Sequence, residues 1–162
     1  MGSRAAERVA HATQTGDDWR VAGALGMEAA RGREDVALVL RARAVDPDAV
    51  VALVGRLTAV ARGMAHRHRW RTRRGQLAAV ASAVITYWLA PACTRCRGRG
   101  TAPGARRPQK VCQACGGTGD SGIVLPPALH DDHWRRYATD LLEWLRERER
   151  RAERAVDHQL HG

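Results

Sequence analysis

Apolar residues recur at helical spacing in three stretches of this chain, and a fourth stretch has no period at all. In "DPDAVVALVGRLTAVARGMAHRHRW", from Asp46, the residues Val50, Leu53, Val54, Leu57 and Val60 fall on one helical face. Asp46 suits the cap of that helix and Pro47 its first position, where no amide is needed. A second helix is predicted from near Thr72 through "RGQLAAVASAVITYWLA", stopped by Pro91. Its buried stripe reads Leu77, Val80, Ala81, Val84, Tyr87 and Trp88. A long last helix opens after a cap at Asp131 or Asp132, with Trp134, Tyr137, Leu141, Trp144 and Leu145 as its stripe. That stripe fades past Arg148, and the Glu/Arg alternation beyond it predicts a solvated helix held by i,i+4 pairs. Between the second and last helices, residues 91–122 are rich in Gly, Pro and Arg, the composition of a loop. Residues 17–44 are Ala-rich but weakly periodic, with Gly23, Gly26 and Gly32 weakening any helix. The pattern predicts an all-α fold with one irregular inserted loop. Residues 1–45 form a helical or partly disordered segment ahead of a helical domain over 46–162.

Composition sharpens this picture. A chain of 162 residues, 44% hydrophobic but without phenylalanine, builds its core from Ala, Val and Leu, with five tryptophans as large anchors. The apolar run from Gln76 to Ala92 contains Ser82 and Thr86 and is too short to span a bilayer. The first twenty residues lack the apolar core of a secretion signal. No membrane association and a cytoplasmic location are therefore expected, and there thiols stay reduced.

That matters for the four cysteines, which are all spent on one phrase written twice. "CTRCRGRG" occupies 93–100 and "CQACGGTG" occupies 112–119, each a CxxCxGxG. Two thiolates separated by two residues grip one tetrahedral ion, and two such pairs complete a four-sulfur site. Cys93, Cys96, Cys112 and Cys115 are the expected ligands, and the fifteen residues between the pairs suffice to bring the second to the first. One Zn2+ per chain fits best, ahead of an iron–sulfur cluster or two disulfides. Four thiolates leave no open position for catalysis.

Charge points to a partner. The net charge is +10, with Lys110 as the only lysine. An arginine-rich composition also follows from a GC-rich genome, so position carries the argument. Arg95, Arg97, Arg99, Arg106, Arg107 and Lys110 fall within sixteen residues, and no acid lies between Thr72 and Val111. "HRHRWRTRR", residues 66–74, adds Arg71, Arg73 and Arg74 just before the second helix, with Trp70 to stack or anchor. Guanidinium forks suit phosphate oxygens and guanine edges, so these nine residues are the expected contacts to double-stranded DNA. His66 and His68 read as surface histidines within a basic run.

The doublet resembles two families. CxxCxGxG is the unit of the zinc region of DnaJ-type cochaperones, which carry four copies and a His-Pro-Asp tripeptide; this chain has two copies and no such tripeptide. More of the chain, about residues 65–155, resembles the antitermination protein Q of lambda-like bacteriophages. There, an Ala/Val/Leu-rich helix leads into CxxCxGxG, a basic spacer and a second CxxCxGxG. A Pro-containing step and a helix opening with tryptophan follow. Here those parts are Gln76 to Leu89, Cys93 to Gly100, "TAPGARRPQKV", Cys112 to Gly119, "LPP" and Trp134 with "RRYATDLLEWL". The resemblance implies a phage transcription antitermination factor. Such a factor binds DNA near a late promoter and modifies host RNA polymerase, with its sigma factor, to read through terminators. It assigns the metal-ligand role to the four cysteines, residue for residue. An enzyme is not expected: no His-x-Glu precedes a CxxC, and neither a P-loop nor a dinucleotide fingerprint occurs. The alternative function is a polypeptide-binding module of the cochaperone kind.

Overall fold

Residues 34–44, 46–101 and 110–161 are described by the computed structural model, and among them four α-helices and no strand occur. They are α1 (Glu34–Arg43), α2 (Pro47–Arg67), α3 (Gln76–Leu89) and α4 (Asp132–His161), with a 3₁₀ turn at Pro127–Leu129 before the last. The start of α2 is as predicted. The Asp46 carboxylate accepts from the amides of Asp48 and Ala49 at 3.0 and 3.1 Å, and Pro47 follows. The amide of Ala49, then the Arg41 guanidinium, hold that carboxyl below its ordinary range. At the other end, the amides of Arg69 and Trp70 bond back to the carbonyls of His66 and Ala65, closing the helix with Arg69 at φ 54.

The predicted start of α3 near Thr72 moves to Gln76. Gly75 takes φ 84, outside the helical region, and the Gln76 side chain turns back to accept from the Arg73 amide at 2.6 Å. The basic run thus begins in the last turn of α2 and continues through a non-helical connection to α3. At α4 the cap is Asp131, whose carboxylate accepts from the Trp134 amide at 3.0 Å.

Among the described residues the four helices share one buried apolar cluster. Leu53 and Leu57 of α2, Val80, Val84 and Ile85 of α3, and Tyr137, Leu141 and Leu145 of α4 are all buried in it. The stripe of α2 is rotated from the expected one: Ala49, Ala61 and Ala65 are buried, while Val50, Val54 and Val60 pack at its margin. Alanine lets the helices approach closely, which a reading weighted to large side chains misses. Trp70 touches Tyr137 and His133 at ring distances of 4.7 and 4.4 Å, while Trp88 reaches Glu149. The start of α3 thus meets the start of α4, and its end meets α4 four turns on. The two helices run in the same direction, and the chain must return along the bundle between them. By length and composition alone α2 could cross a membrane, but its Leu53, Leu57 and Ala61 face the shared core.

The tail of α4 departs from expectation. One side keeps the solvent-facing pairs of Glu147 with Arg150 and Arg151, at 2.8 and 3.0 Å. The other side is covered by α1. Arg148 pairs with Asp35 at 3.0 Å and lies over the Trp144 ring, Ala152 is fully buried, and Val39 and Ala42 enter the core. A clamp of polar contacts adds to this apolar cover. Arg43 donates to Glu149 at 3.0 Å and to the Trp88 carbonyl at 2.8 Å, lies 3.8 Å over the Trp88 ring, and Trp88 donates its indole N–H to Glu149 at 2.9 Å. Of the predicted segment 1–45, residues 34–43 form this helix; residues 1–33 lie outside the described residues.

Candidate metal centre and basic surface

The loop after α3 is two copies of one backbone turned face to face. Within the first, the amides of Gly98 and Arg99 donate to the carbonyls of Cys93 and Cys96; within the second, Gly117 and Thr118 donate to Cys112 and Cys115. Between them the bonds are reciprocal: the Cys93 amide donates to the Gly119 carbonyl at 2.8 Å, and the Cys112 amide to the Gly100 carbonyl at 2.9 Å. Single antiparallel bridges, Ala92 with Asp120 and Thr101 with Val111, close the two ends. The glycines are a steric requirement. A Cβ on Gly100 would stand 2.3 Å from the Gly117 carbonyl oxygen, and one on Gly119 would stand 2.3 Å from that of Gly98.

This pairing brings the four sulfurs within 4.8 Å of one another, as a metal site requires. Cys93, Cys96 and Cys112 are buried and Cys115 is partly open, in a small cluster of their own apart from the bundle core. The Cys96 and Cys115 sulfurs are 3.7 Å apart, and a tetrahedral ion with bonds of about 2.3 Å sets its sulfurs about 3.8 Å apart. The amides of Gly100 and Gly119 point at the sulfurs of Cys96 and Cys115, each at 3.3 Å, an arrangement suited to thiolates. Burial pushes the Cys112 thiol up. At Cys115 burial acts in the same direction, but the amides of Gly119 and Gly117 outweigh it and bring the thiol to about 6. The donor set and the geometry fit one tetrahedral metal ion with no further protein ligand.

One contact fixes the paired turns to the bundle and a second ties their exit to their entry; periodicity marked Tyr87 only as part of a buried stripe. Tyr87, near the end of α3, donates its hydroxyl to Asp120 at 2.8 Å, and the Ser121 amide donates to the Pro91 carbonyl at 2.9 Å. Asp120 directly follows the second CxxCxGxG, a position where an acid among so many bases is a signal in itself.

The structure separates the predicted DNA contacts into two groups. Arg95, Arg97, Arg99 and Lys110 are exposed on the paired turns, and Arg71, Arg73 and Arg74 are exposed before α3. The fourteen residues of α3 lie between the groups, about 20 Å of helix. They are therefore not one patch around the metal site. Arg106 and Arg107 lie outside the described residues. None of the seven described basic residues has an acidic partner among the described residues, whereas arginines of α1 and α4 pair with acids. Trp70 anchors: it is edge-on to Tyr137 and stacked with the exposed His68 at 4.9 Å. An apolar hollow of about 290 Å³ lies between α3 and the paired turns, lined by Ala83, Tyr87, Ala90, Ala92 and Val124. Comparison with known protein families, with curated proteins and with solved structures finds no match to this chain.

Proposed function

We propose that this protein is a zinc-dependent DNA-binding factor that acts on transcription, as the resemblance to the phage antitermination proteins implies. The observation that carries the reading is the union of two features: four sulfurs within 4.8 Å of one another, and basic side chains left without acidic partners among the described residues on the turns that hold them. Zinc suits four thiolates in a closed site, where it does no chemistry and orders a segment too poor in apolar side chains to order itself. The four thiolates around a divalent ion carry a charge of about −2, and Arg95, Arg97 and Arg99, next to the ligands in the sequence and exposed, are suited to offset it and to meet phosphate. The second basic group, about 20 Å away before α3, gives the duplex a second point of contact. The cochaperone alternative calls for an apolar groove, and the hollow beside α3 is at the small end of what even a compact ligand fills. A cytoplasmic location goes with the DNA-binding reading.

The test is co-purification with host RNA polymerase on a template bearing a late promoter and a downstream terminator. Read-through that depends on the protein and on zinc is the expected result. Binding to unfolded polypeptide, with affinity for neither DNA nor polymerase, would transfer the assignment to the cochaperone class.

A further inference from the structure

The two turns have the same backbone but not the same surface. Superposing the repeats puts Arg95 opposite Ala114, Arg97 opposite Gly116 and Arg99 opposite Thr118. Within the two CxxCxGxG turns themselves, 93–100 and 112–119, every basic side chain is on the first; Lys110 lies on the approach to the second, which offers Gln113, Ala114, Gly116 and Thr118 at its exposed positions. The backbone itself does not call for arginine there. Position 97 has φ 53 and position 116 has φ 58, the left-handed region that a side chain disfavours and glycine adopts freely. The second turn uses the residue the conformation prefers. The first keeps an arginine against that preference, and no carboxylate among the described residues rewards it. Arg99 is equally telling. Its Nε donates to the Cys96 carbonyl at 3.1 Å, the same bond that the Thr118 hydroxyl makes to Cys115 at 2.8 Å. A threonine would satisfy that carbonyl, and the arginine adds four further donors beyond it.

We propose that the paired turns divide their work: Arg95, Arg97 and Arg99 of the first form the phosphate-binding surface for duplex DNA, and the second is its neutral scaffold. Strain retained at one of two otherwise equivalent positions marks the side chain as selected for what it contacts. This inference rests on the DNA-binding reading above and goes beyond it by assigning one half of the site.

The repeat supplies its own experiment. The first turn is rewritten with the residues of the second, Arg95→Ala, Arg97→Gly and Arg99→Thr, all compatible with this backbone. The full chain, loaded with zinc, is titrated against a random-sequence duplex of about 30 base pairs between about 50 and 200 mM salt. The expected result is unchanged metal content, affinity lower by about tenfold or more, and a salt slope reduced by about two to three. Gln113→Leu with Ala114→Leu, placing bulk on the second turn, should change affinity by less than about twofold. Unchanged affinity in the triple variant, or loss of binding in the second-turn variant, overturns the division. If the wild-type chain itself fails to bind the duplex at low salt, the DNA-binding reading falls first, and the two failures are distinguished.

Discussion

Within the metal turns, single atoms decide whether the second copy can face the first. Gly100 and Gly119 are the two positions at which a Cβ would collide with backbone at 2.3 Å, an oxygen that has no rotamer to yield. Gly122 also has a left-handed φ, of 66, but nothing lies within 4 Å of its missing Cβ. Alanine at each position therefore separates strain from collision. Gly122→Ala should cost about 1 kcal/mol, the ordinary penalty of that conformation. Gly100→Ala and Gly119→Ala should prise the turns apart and weaken metal retention, read as earlier zinc release to a colorimetric chelator. Equal zinc release in all three variants would mean that the close approach is not what the glycines serve. The repeat of CxxCxGxG was plain in the sequence, and so was the convergence of its cysteines. Which glycine meets which carbonyl was not, because that depends on a pairing between residues nearly twenty positions apart.

Among the helices, the clamp of Arg43, Trp88 and Glu149 holds three elements at one point. The two charged side chains are only 14% and 13% exposed, so each depends on the other for compensation. Glu149→Gln leaves Arg43 buried without its counter-charge and should cost about 2 to 4 kcal/mol in a denaturant titration. Replacing both, Arg43→Met with Glu149→Leu, should recover much of that loss. The tryptophans of this region should also differ. Trp88 is buried, and Trp88→Ala should cost about 3 to 5 kcal/mol. Trp144 was expected in the buried stripe but is only partly covered, lying beneath the Arg148 guanidinium at 4.2 Å. Trp144→Ala should therefore cost less, about 1 to 2 kcal/mol. These cases explain what the sequence could and could not disclose. Local signals read correctly, as at Asp46, Pro47 and the Asp131 cap, because their partners lie within four residues. The docking of α1 stayed hidden because its apolar contribution is small, Val39 and Ala42, and because Arg43 and Glu149, 106 positions apart, look solvent-facing in any periodic pattern. The late start of α3 stayed hidden because one left-handed glycine overrode an otherwise helical run.

At the scale of the whole molecule, two cores coexist: the bundle, with Leu53, Val84, Tyr137 and Leu145 at its centre, and the small cluster of cysteines. The bundle contains no cysteine, so metal loss leaves its apolar contacts in place. The turns lack that support: they bury few apolar side chains besides the cysteines, so their order depends on the metal bound between them. Stripping the metal should therefore release residues 91–122 while most of the helical circular dichroism survives. Limited trypsin digestion should then cut rapidly after Arg95, Arg97, Arg99 and Lys110, and restoring zinc should restore protection. The Leu125 and Leu129 anchors, both buried in the bundle, should keep the chain beyond the turns attached, so α4 stays docked. Measuring duplex affinity on the same stripped sample then weighs the two basic groups against each other. A loss of about tenfold or more places the main contact on the metal turns. Undiminished affinity would place it on Arg71, Arg73 and Arg74, which the bundle and Trp70 hold without any metal.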